Sequence, residues 1–341
     1  MKSPQRPDGV GARRPKKEGR DRRPPRPPPE PVRIDPSHPR QQLRALEMHA
    51  RRRFGQNFLA DSDAVDRIVR AAAVTPGAPV MEIGPGLGVL TRALLAAGAR
   101  LVAVELDRDL AAALREALPA LHLVEGDALR VDWSLAAPLI GEPTVDGVDS
   151  AASWTVVGNL PYNVATPLLM RLLAEPRRFS RMVLMFQREV ADRLEAPADG
   201  EAYGALSVQV QARARVERVL ELPPGSFHPA PKIWSAVLRF SPYTAPDFGH
   251  TADGTPVTAR RFDRVVRAGF SQRRKTLQNA LGSLGPRELV QAALGEAGID
   301  PSARAETIDL PGWRRLAAAF VHAGAFEIPE SSPVAAPEEG P

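Results

Sequence analysis

Between residues 60 and 240 the spacing of apolar positions switches repeatedly between helical and extended periods. Asp63–Ala73 has the stripe of an amphipathic helix and stops before Thr75-Pro76-Gly77. Val80–Ile83 is a short apolar strand running into the glycine-rich segment Gly84–Gly88, and Val89–Ala97 is helical again. The alternation continues with a strand at Leu101–Glu105, a helix at Asp109–Leu118, strands at Leu121–Glu125 and Trp154–Val157, a helix at Thr166–Ala174 and a strand at Arg181–Phe186. Strands separated by helices of this length predict right-handed βαβ units, hence an α/β fold on a mostly parallel sheet. Ala214–Leu222 and Ile233–Phe240, joined by a Pro-rich loop, suit an antiparallel pair at one sheet edge.

Outside this stretch the pattern changes. Ser241–Thr258, rich in Pro, Gly and Thr, reads as a linker. Helical patterns follow at Arg260–Phe270, Arg274–Leu281, Pro286–Ala297 and Pro311–Phe320, which predicts a small helical second domain. The organisation expected is a basic Pro-rich tail over 1–48, an α/β domain over 49–242, a helical domain over 243–326 and a second tail over 327–341. The first tail contains Arg22-Arg23-Pro24-Pro25-Arg26-Pro27-Pro28-Pro29 and too little apolar surface to offset its ordering entropy, so it is expected to be disordered.

Charge sharpens this division. Residues 1–53 carry 16 Lys and Arg against 6 Asp and Glu, and the remainder carries 29 against 34. The net +5 therefore belongs to the tail, and a folded body that binds a polyanion needs a local basic patch. There is no cysteine, which removes disulfides, thiolate zinc sites and cysteine nucleophiles. The six histidines show no ligand spacing, so no metal site is expected. The basic N-terminus lacks the apolar core of a secretory signal, and no run of the length of a membrane span occurs, so a cytoplasmic protein is expected.

Glu82-Ile83-Gly84-Pro85-Gly86-Leu87-Gly88 follows the first strand and precedes a helix. Glycines such as Gly84 and Gly86 let backbone approach a nucleotide-like ligand closely at a helix N-terminus. The spacing is Gly-x-Gly-x-Gly, which differs from the nicotinamide-binding pattern and suits S-adenosylmethionine, a ligand without a pyrophosphate. Glu105, at the end of the next strand, can accept from both ribose hydroxyls. Asp127, after the third strand, can accept from the cofactor's adenine amine; taken alone, it could equally be a turn cap.

Val157-Gly158-Asn159-Leu160-Pro161-Tyr162-Asn163 follows the fourth strand. The exocyclic nitrogen of adenine is a poor nucleophile because its lone pair is delocalised into the ring. A site must turn that lone pair toward the methyl donor while acceptors hold the two hydrogens. The side-chain oxygen of Asn159 and the carbonyl of Leu160 are candidate acceptors. Pro161 stiffens the turn without adding an N–H, and Tyr162 offers a ring on which a base stacks. Orientation, rather than a strong general base, would supply most of the rate.

Arg53-Phe54-Gly55-Gln56-Asn57-Phe58-Leu59, the Gly84–Gly88 loop, Val104-Glu105-Leu106-Asp107, Asn159–Asn163 and Phe270-Ser271-Gln272-Arg273-Arg274-Lys275-Thr276 occur in that order. Together they resemble the KsgA/RsmA family of small-subunit ribosomal RNA adenine dimethyltransferases, over about residues 51–322. The resemblance implies a Rossmann-like methyltransferase sheet with a small C-terminal helical domain. It implies Asn57 and Leu59 as cofactor contacts beside Gly84, Glu105, Asp127 and Asn159. It further implies dimethylation of two adjacent adenines near the 3′ end of 16S RNA during assembly of the 30S subunit, by a protein expected to be a monomer. Leu222–Lys232 matches the family's Pro-rich loop, with Phe227 as the second stacking ring opposite Tyr162 or, alternatively, as an aromatic packed into the sheet edge.

Arg260, Arg261, Arg264 and Arg267, followed by Arg273, Arg274 and Lys275, form the local basic patch, with 260, 264 and 267 on one helical face. Within the family pattern this face suits RNA phosphates; Arg188 and Arg193 are further candidates. The long first tail and the insertion-like Asp132–Ser153 depart from the family core without touching a motif. The competing readings are methylation of an adenine in 23S RNA, methylation of DNA adenine, and a mainly non-catalytic role in 30S assembly. Leu160, where DNA enzymes usually carry Pro, and the lack of a target-recognition domain count against DNA.

Overall fold

The computed structural model describes residues 39–47, 49–50, 56–133, 153–272 and 274–326. Its centre is a seven-stranded sheet. The strands are β2 (Pro79–Ile83), β3 (Arg100–Glu105), β4 (His122–Glu125), β5 (Trp154–Gly158), β6 (Phe179–Gln187), β7 (Ala214–Leu222) and β9 (Ser235–Pro242). Their order is β4-β3-β2-β5-β6-β9-β7. The first five are parallel, and β9 and β7 close one edge antiparallel, as the sequence predicts. A separate two-residue ladder pairs β1 (Phe58–Leu59) with β8 (Phe227–His228).

The parallel strands alternate with helices whose apolar faces cover the sheet. These are α2 (Ser62–Ala72), α3 (Val89–Ala96), α4 (Arg108–Ala117) and α5 (Tyr162–Leu173). One side of the sheet is packed by Ile68, Leu90 and Leu94, the other by Leu168, Leu172, Trp154 and Phe179. Asp61 opens α2 by accepting from the Ala64 N–H, and Asp107 opens α4 by accepting from Asp109.

Several elements differ from the expectation for identifiable reasons. Helix α5 begins at Tyr162, four residues before the expected Thr166. Pro161 occupies the cap position with φ −55°, and Pro167 lies inside the helix. Helix α1 (Pro39–Ala45) lies within the segment expected to be disordered; Leu43 is buried with Phe58, Leu87 and Leu110. The rest of that tail, residues 134–152 of the insertion and the tail from 327 lie outside the described residues. The short helices α6 (Arg188–Glu195) and α7 (Ala205–Gln211) are not signalled by a long period; they stand on tertiary packing of Ala191, Leu194 and Val208.

The C-terminal helices are α8 (Ala259–Gly269), α9 (Leu277–Ala280), α10 (Arg287–Glu296) and α11 (Leu310–His322). They enclose one apolar cluster around Trp313, Phe262 and Phe320, to which Ala196, Tyr203, Val208 and Ala212 of the preceding part contribute. The segment expected as a linker is packed as well. Thr251 and Val257 are buried, and Gly249, at φ +105°, approaches so closely that a Cβ would lie 2.5 Å from the Arg314 carbonyl oxygen.

A buried ion pair crosses this seam. Arg213 donates to Asp263 on α8 at 2.9 Å and to the Gln209 carbonyl at 2.7 Å, with its guanidinium 4.9 Å from the centre of the Phe248 ring. Asp263→Ala strands that guanidinium in a buried setting, and a loss of about 3 kcal/mol in urea unfolding is expected. Asp263→Asn retains an acceptor and should lose less.

Candidate active site

The chain runs β2, β3, β4 to one side of the sheet and then returns to lay β5 on the opposite side of β2. Connections therefore diverge at the carboxyl ends of β2 and β5 and leave a crevice, where α/β sheets bind ligands. A cavity of about 260 Å³ occupies it. Its lining includes Asn57, Leu59, Gly84, Gly86, Glu105, Asp127, Asn159, Leu160, Pro161 and Tyr162, so the fold gathers these expected site residues from five chain segments.

Gly84 and Gly86 adopt φ +69° and +56°, a backbone conformation glycine accepts without strain. Gly86 also lies under the Phe58 ring, where a Cβ would come within 3.0 Å of Cε1. The segment carrying Asn57 and Leu59 forms a roof over the crevice. Gln56 donates to Asp107 at 2.9 Å, the Asn57 carbonyl accepts from Asn159, and Leu59 pairs with Phe227 in the β1–β8 ladder. The beginning of that motif, residues 53–55, lies outside the described residues.

Glu105 is held by two backbone donors: Gly86 N–H at 3.0 Å on one oxygen and Asp107 N–H at 2.8 Å on the other. Each oxygen keeps a lone pair for a ligand hydroxyl. Burial raises its pKa, and the two N–H bonds act against that rise. Asp127 accepts from the Leu129 N–H at 2.8 Å, so it caps its own turn and lines the cavity at once. Arg171 on α5 steadies this turn by donating to the carbonyls of Ala128 and Val131 and stacking on Trp133.

Glu82 lines the cavity without having been singled out as a cofactor contact in the sequence. It is 1% exposed, and burial pushes its pKa up to about 8, with the Thr91 hydroxyl and N–H nearby acting against that rise but making no well-formed hydrogen bond to it among the described residues. Its position before the glycine loop was the available signal, but a strand-end carboxylate alone does not reveal that it is buried. With Glu105 and Asp127 as acceptors and Leu106, Leu110 and Leu129 as apolar walls, the lining fits a nucleoside that carries positive charge.

Asn159 points the donor half of its amide at the Asn57 carbonyl, 2.9 Å away, which leaves Oδ1 as the half able to accept from a substrate amine. Leu160 is buried, 3% exposed, and anchors the turn in the core. Tyr162 is half-buried at the start of α5, with its hydroxyl 2.8 Å from Ser235 Oγ; burial raises its pKa. Ser235 lies 73 positions away in sequence, with no local signal linking the two.

Phe227 corrects the expectation of a second stacking ring. Pairing with Leu59 turns it into the core, where it is 4% exposed beside Val65 and Leu222, and it does not line the cavity. The sheet-edge packing weighed as the alternative describes its position.

The described basic residues of the expected patch do not line the crevice. On α8, Phe262, Val265 and Val266 are buried and Arg260, Arg264 and Arg267 are exposed, with Arg264 5.2 Å from the Phe326 ring. Arg274 and Lys275 are exposed in the turn after that helix, and Arg273 lies outside the described residues.

Comparisons with known proteins bear on this arrangement. The family described as ribosomal RNA adenine dimethylase matches residues 47–319. The ribosomal RNA small subunit methyltransferase A of Anaeromyxobacter dehalogenans is 45% identical over 283 residues, covering 82% of this chain and 96% of that protein. The protein of the same name from Hahella chejuensis is 42% identical, covering 79% and 92%. Among solved structures, a dimethyladenosine transferase from Plasmodium falciparum is similar in fold, with TM-score 0.64 and 23% identity over 78% of this chain and 98% of that one. The 23S rRNA methyltransferase ErmE reaches TM-score 0.55 and 26% identity over 78% and 100%.

The buried Glu82 has a pH signature. Below about pH 4.5 its carboxyl is protonated in folded and unfolded chains alike and carries no penalty. As pH rises from there to about 8, the unfolded chain ionises first, so stability falls through that window and the full penalty is present above it. Glu82→Gln removes this dependence. The melting temperature of cofactor-free Glu82→Gln relative to the unsubstituted protein should rise steadily from pH 5 to pH 8.5; a constant offset would contradict the burial assigned to Glu82.

Proposed function

The chain belongs to the ribosomal RNA adenine dimethylase family, and we propose that it dimethylates the N6 amino groups of two adjacent adenines near the 3′ end of 16S RNA in the immature 30S subunit. S-adenosylmethionine is the methyl donor in this reading, and when bound it supplies an electrophilic methyl group on a sulfonium. The small-subunit relatives, at 42–45% identity, support this substrate over 23S RNA, since the 23S enzyme stands at 26%.

The observation that carries the reading is the amide of Asn159, oriented by Asn57 so that an acceptor faces the same cavity as Glu105 and Tyr162. Asn159 Oδ1 and the Leu160 carbonyl hold the hydrogens of the substrate amine and direct its lone pair, while the Tyr162 ring carries the base. Pro161 keeps the turn stiff. Glu105 holds the cofactor ribose, Asp127 its adenine, and Gly84 and Gly86 with Asn57 and Leu59 enclose the rest. The buried carboxyl of Glu82, protonated near neutral pH while the crevice is empty, favours a cationic ligand over its neutral product only by giving up that proton when the cation binds beside it.

On the outer surface, Arg264, Arg267, Arg273, Arg274 and Lys275 bind RNA phosphates and set its register without reading sequence. The protein acts in this reading as a monomer, without a metal, in the cytoplasm where its ribosomal substrate is assembled. None of the described helices is long and apolar enough to cross a membrane.

One labelled-methyl assay tests the substrate. Immature 30S subunits and naked 16S RNA are offered beside 50S subunits and duplex DNA, and label is expected in small-subunit RNA alone; label only in 50S or DNA overturns the assignment. Asn159→Ala should lower kcat on 30S at least about 100-fold, and undiminished label would remove the amine-orienting role. Arg264→Glu with Arg267→Glu should weaken RNA binding and flatten its salt dependence by about two phosphate contacts, with cofactor affinity unchanged.

A further inference from the structure

One aromatic side chain stands out of the core next to the candidate active site. All four tryptophans lie in described residues: Trp133, Trp154 and Trp313 are 2%, 0% and 0% exposed, whereas Trp234 is 43% exposed. Trp234 immediately precedes β9, which runs antiparallel to β6, so it sits at the carboxyl edge of the parallel strands, the edge on which Asn159 follows β5. β5, β6 and β9 are consecutive in the sheet, which sets Trp234 two strand spacings, about 10 Å, across the sheet from the Asn159 turn and about three residues, roughly another 10 Å, further along the strand direction. Its sequence neighbour Ser235 is hydrogen-bonded to the Tyr162 hydroxyl.

The surroundings of Trp234 are cationic. Arg188, the first residue of α6, lies with its guanidinium 5.9 Å from the centre of the indole, and its backbone N–H donates to the Trp234 carbonyl at 2.9 Å. The nearest carboxylate in sequence, Glu189, turns instead to Arg193. Lys232 and Ile233 are exposed on the same short segment. A planar ring with its cation, standing beside a pocket for an extruded base, offers what a neighbouring unstacked nucleotide needs. The ring and guanidinium give faces for any base, and Lys232 gives a charge for phosphate.

We propose that Trp234 and Arg188 form a stacking platform for the nucleotide adjacent to the target adenine, capturing it when the target is extruded into the cavity. For a substrate with two adjacent target adenines, the platform holds one while the other occupies the Tyr162 pocket. The proposal takes RNA as substrate from the function proposed above. Base extrusion breaks the stacking of the flanking nucleotide as well, and a single-stranded base is recognised by just such aromatic and guanidinium faces.

Because Trp234 is the exposed tryptophan of the chain, its emission reports the platform directly. A 16S 3′-terminal RNA fragment carrying both adenines, at concentrations where filter binding shows complex, is expected to change tryptophan emission and to cut its quenching by acrylamide. Trp234→Phe should abolish both changes while still methylating, since a phenyl ring also stacks. Trp234→Ala should raise KM for the fragment about tenfold with kcat within about twofold, unaltered cofactor affinity and unaltered melting temperature. Arg188→Gln should raise KM less. Bound RNA that leaves Trp234 emission unchanged, or a Trp234→Ala protein with the KM of the unsubstituted one, overturns the platform. So does a response to whole 30S particles but not to bound RNA, which would mark Trp234 as a protein-docking residue. If the unsubstituted protein methylates no 16S substrate, the proposed function fails, and the emission experiment still decides whether Trp234 stacks on RNA.

Discussion

The pairing of β2 with β5 is the constraint on which the site depends. Strands from opposite sides of the sheet meet there, Ile83 opposite Gly158, and their loops leave in opposite directions. Gly158 is tightly enclosed: a Cβ would lie 3.0 Å from the Ile83 carbonyl oxygen and 3.2 Å from the Leu160 side chain, so a side chain there would force its neighbours to shift. That close approach brings the glycine loop against the Asn159 turn, where Gly84 faces the Asn159 carbonyl. The glycine loop and the Asn159 turn thereby line one crevice.

The roof over this crevice couples the site to the rest of the fold. Residues 56–59 engage Asp107, Asn159, Gly86 and Phe227 in succession, and the Pro-rich loop is tied in through Ser226, which donates to Asp61 and whose carbonyl accepts from Ala60. The Asn159 amide is oriented by a residue 102 positions away, so the direction in which its Oδ1 faces rests on the roof being closed. Phe227 serves that closure by packing beneath Leu59.

Electrostatics divide the molecule by depth. The crevice is lined by carboxyl groups, one of them buried deeply enough to hold its proton near neutral pH. The exposed cations stand outside it, on α8, on the following turn and beside Trp234. Acceptors line the interior and cations the surface, even though residues 54–341 carry more acidic than basic side chains.

The period of the apolar residues was enough for the parallel sheet, its helices and the antiparallel edge pair, because burying one face of each element forces that period locally. The glycine spacing and the strand-end positions of Glu105, Asp127 and Asn159 marked the crevice for the same reason: backbone geometry at a strand end is a local property. Tertiary structure decided what depends on distant partners. Phe227 is legible as a loop aromatic, but its burial follows from pairing with Leu59. Glu82 is legible as a carboxyl before the loop, but its raised pKa follows from the elements that close over it. Helices α6 and α7 exist through the faces they bury, and the exposure of Trp234 beside Tyr162 follows from strand order. Chain neighbours announce themselves in sequence, whereas contacts made across the sheet do not.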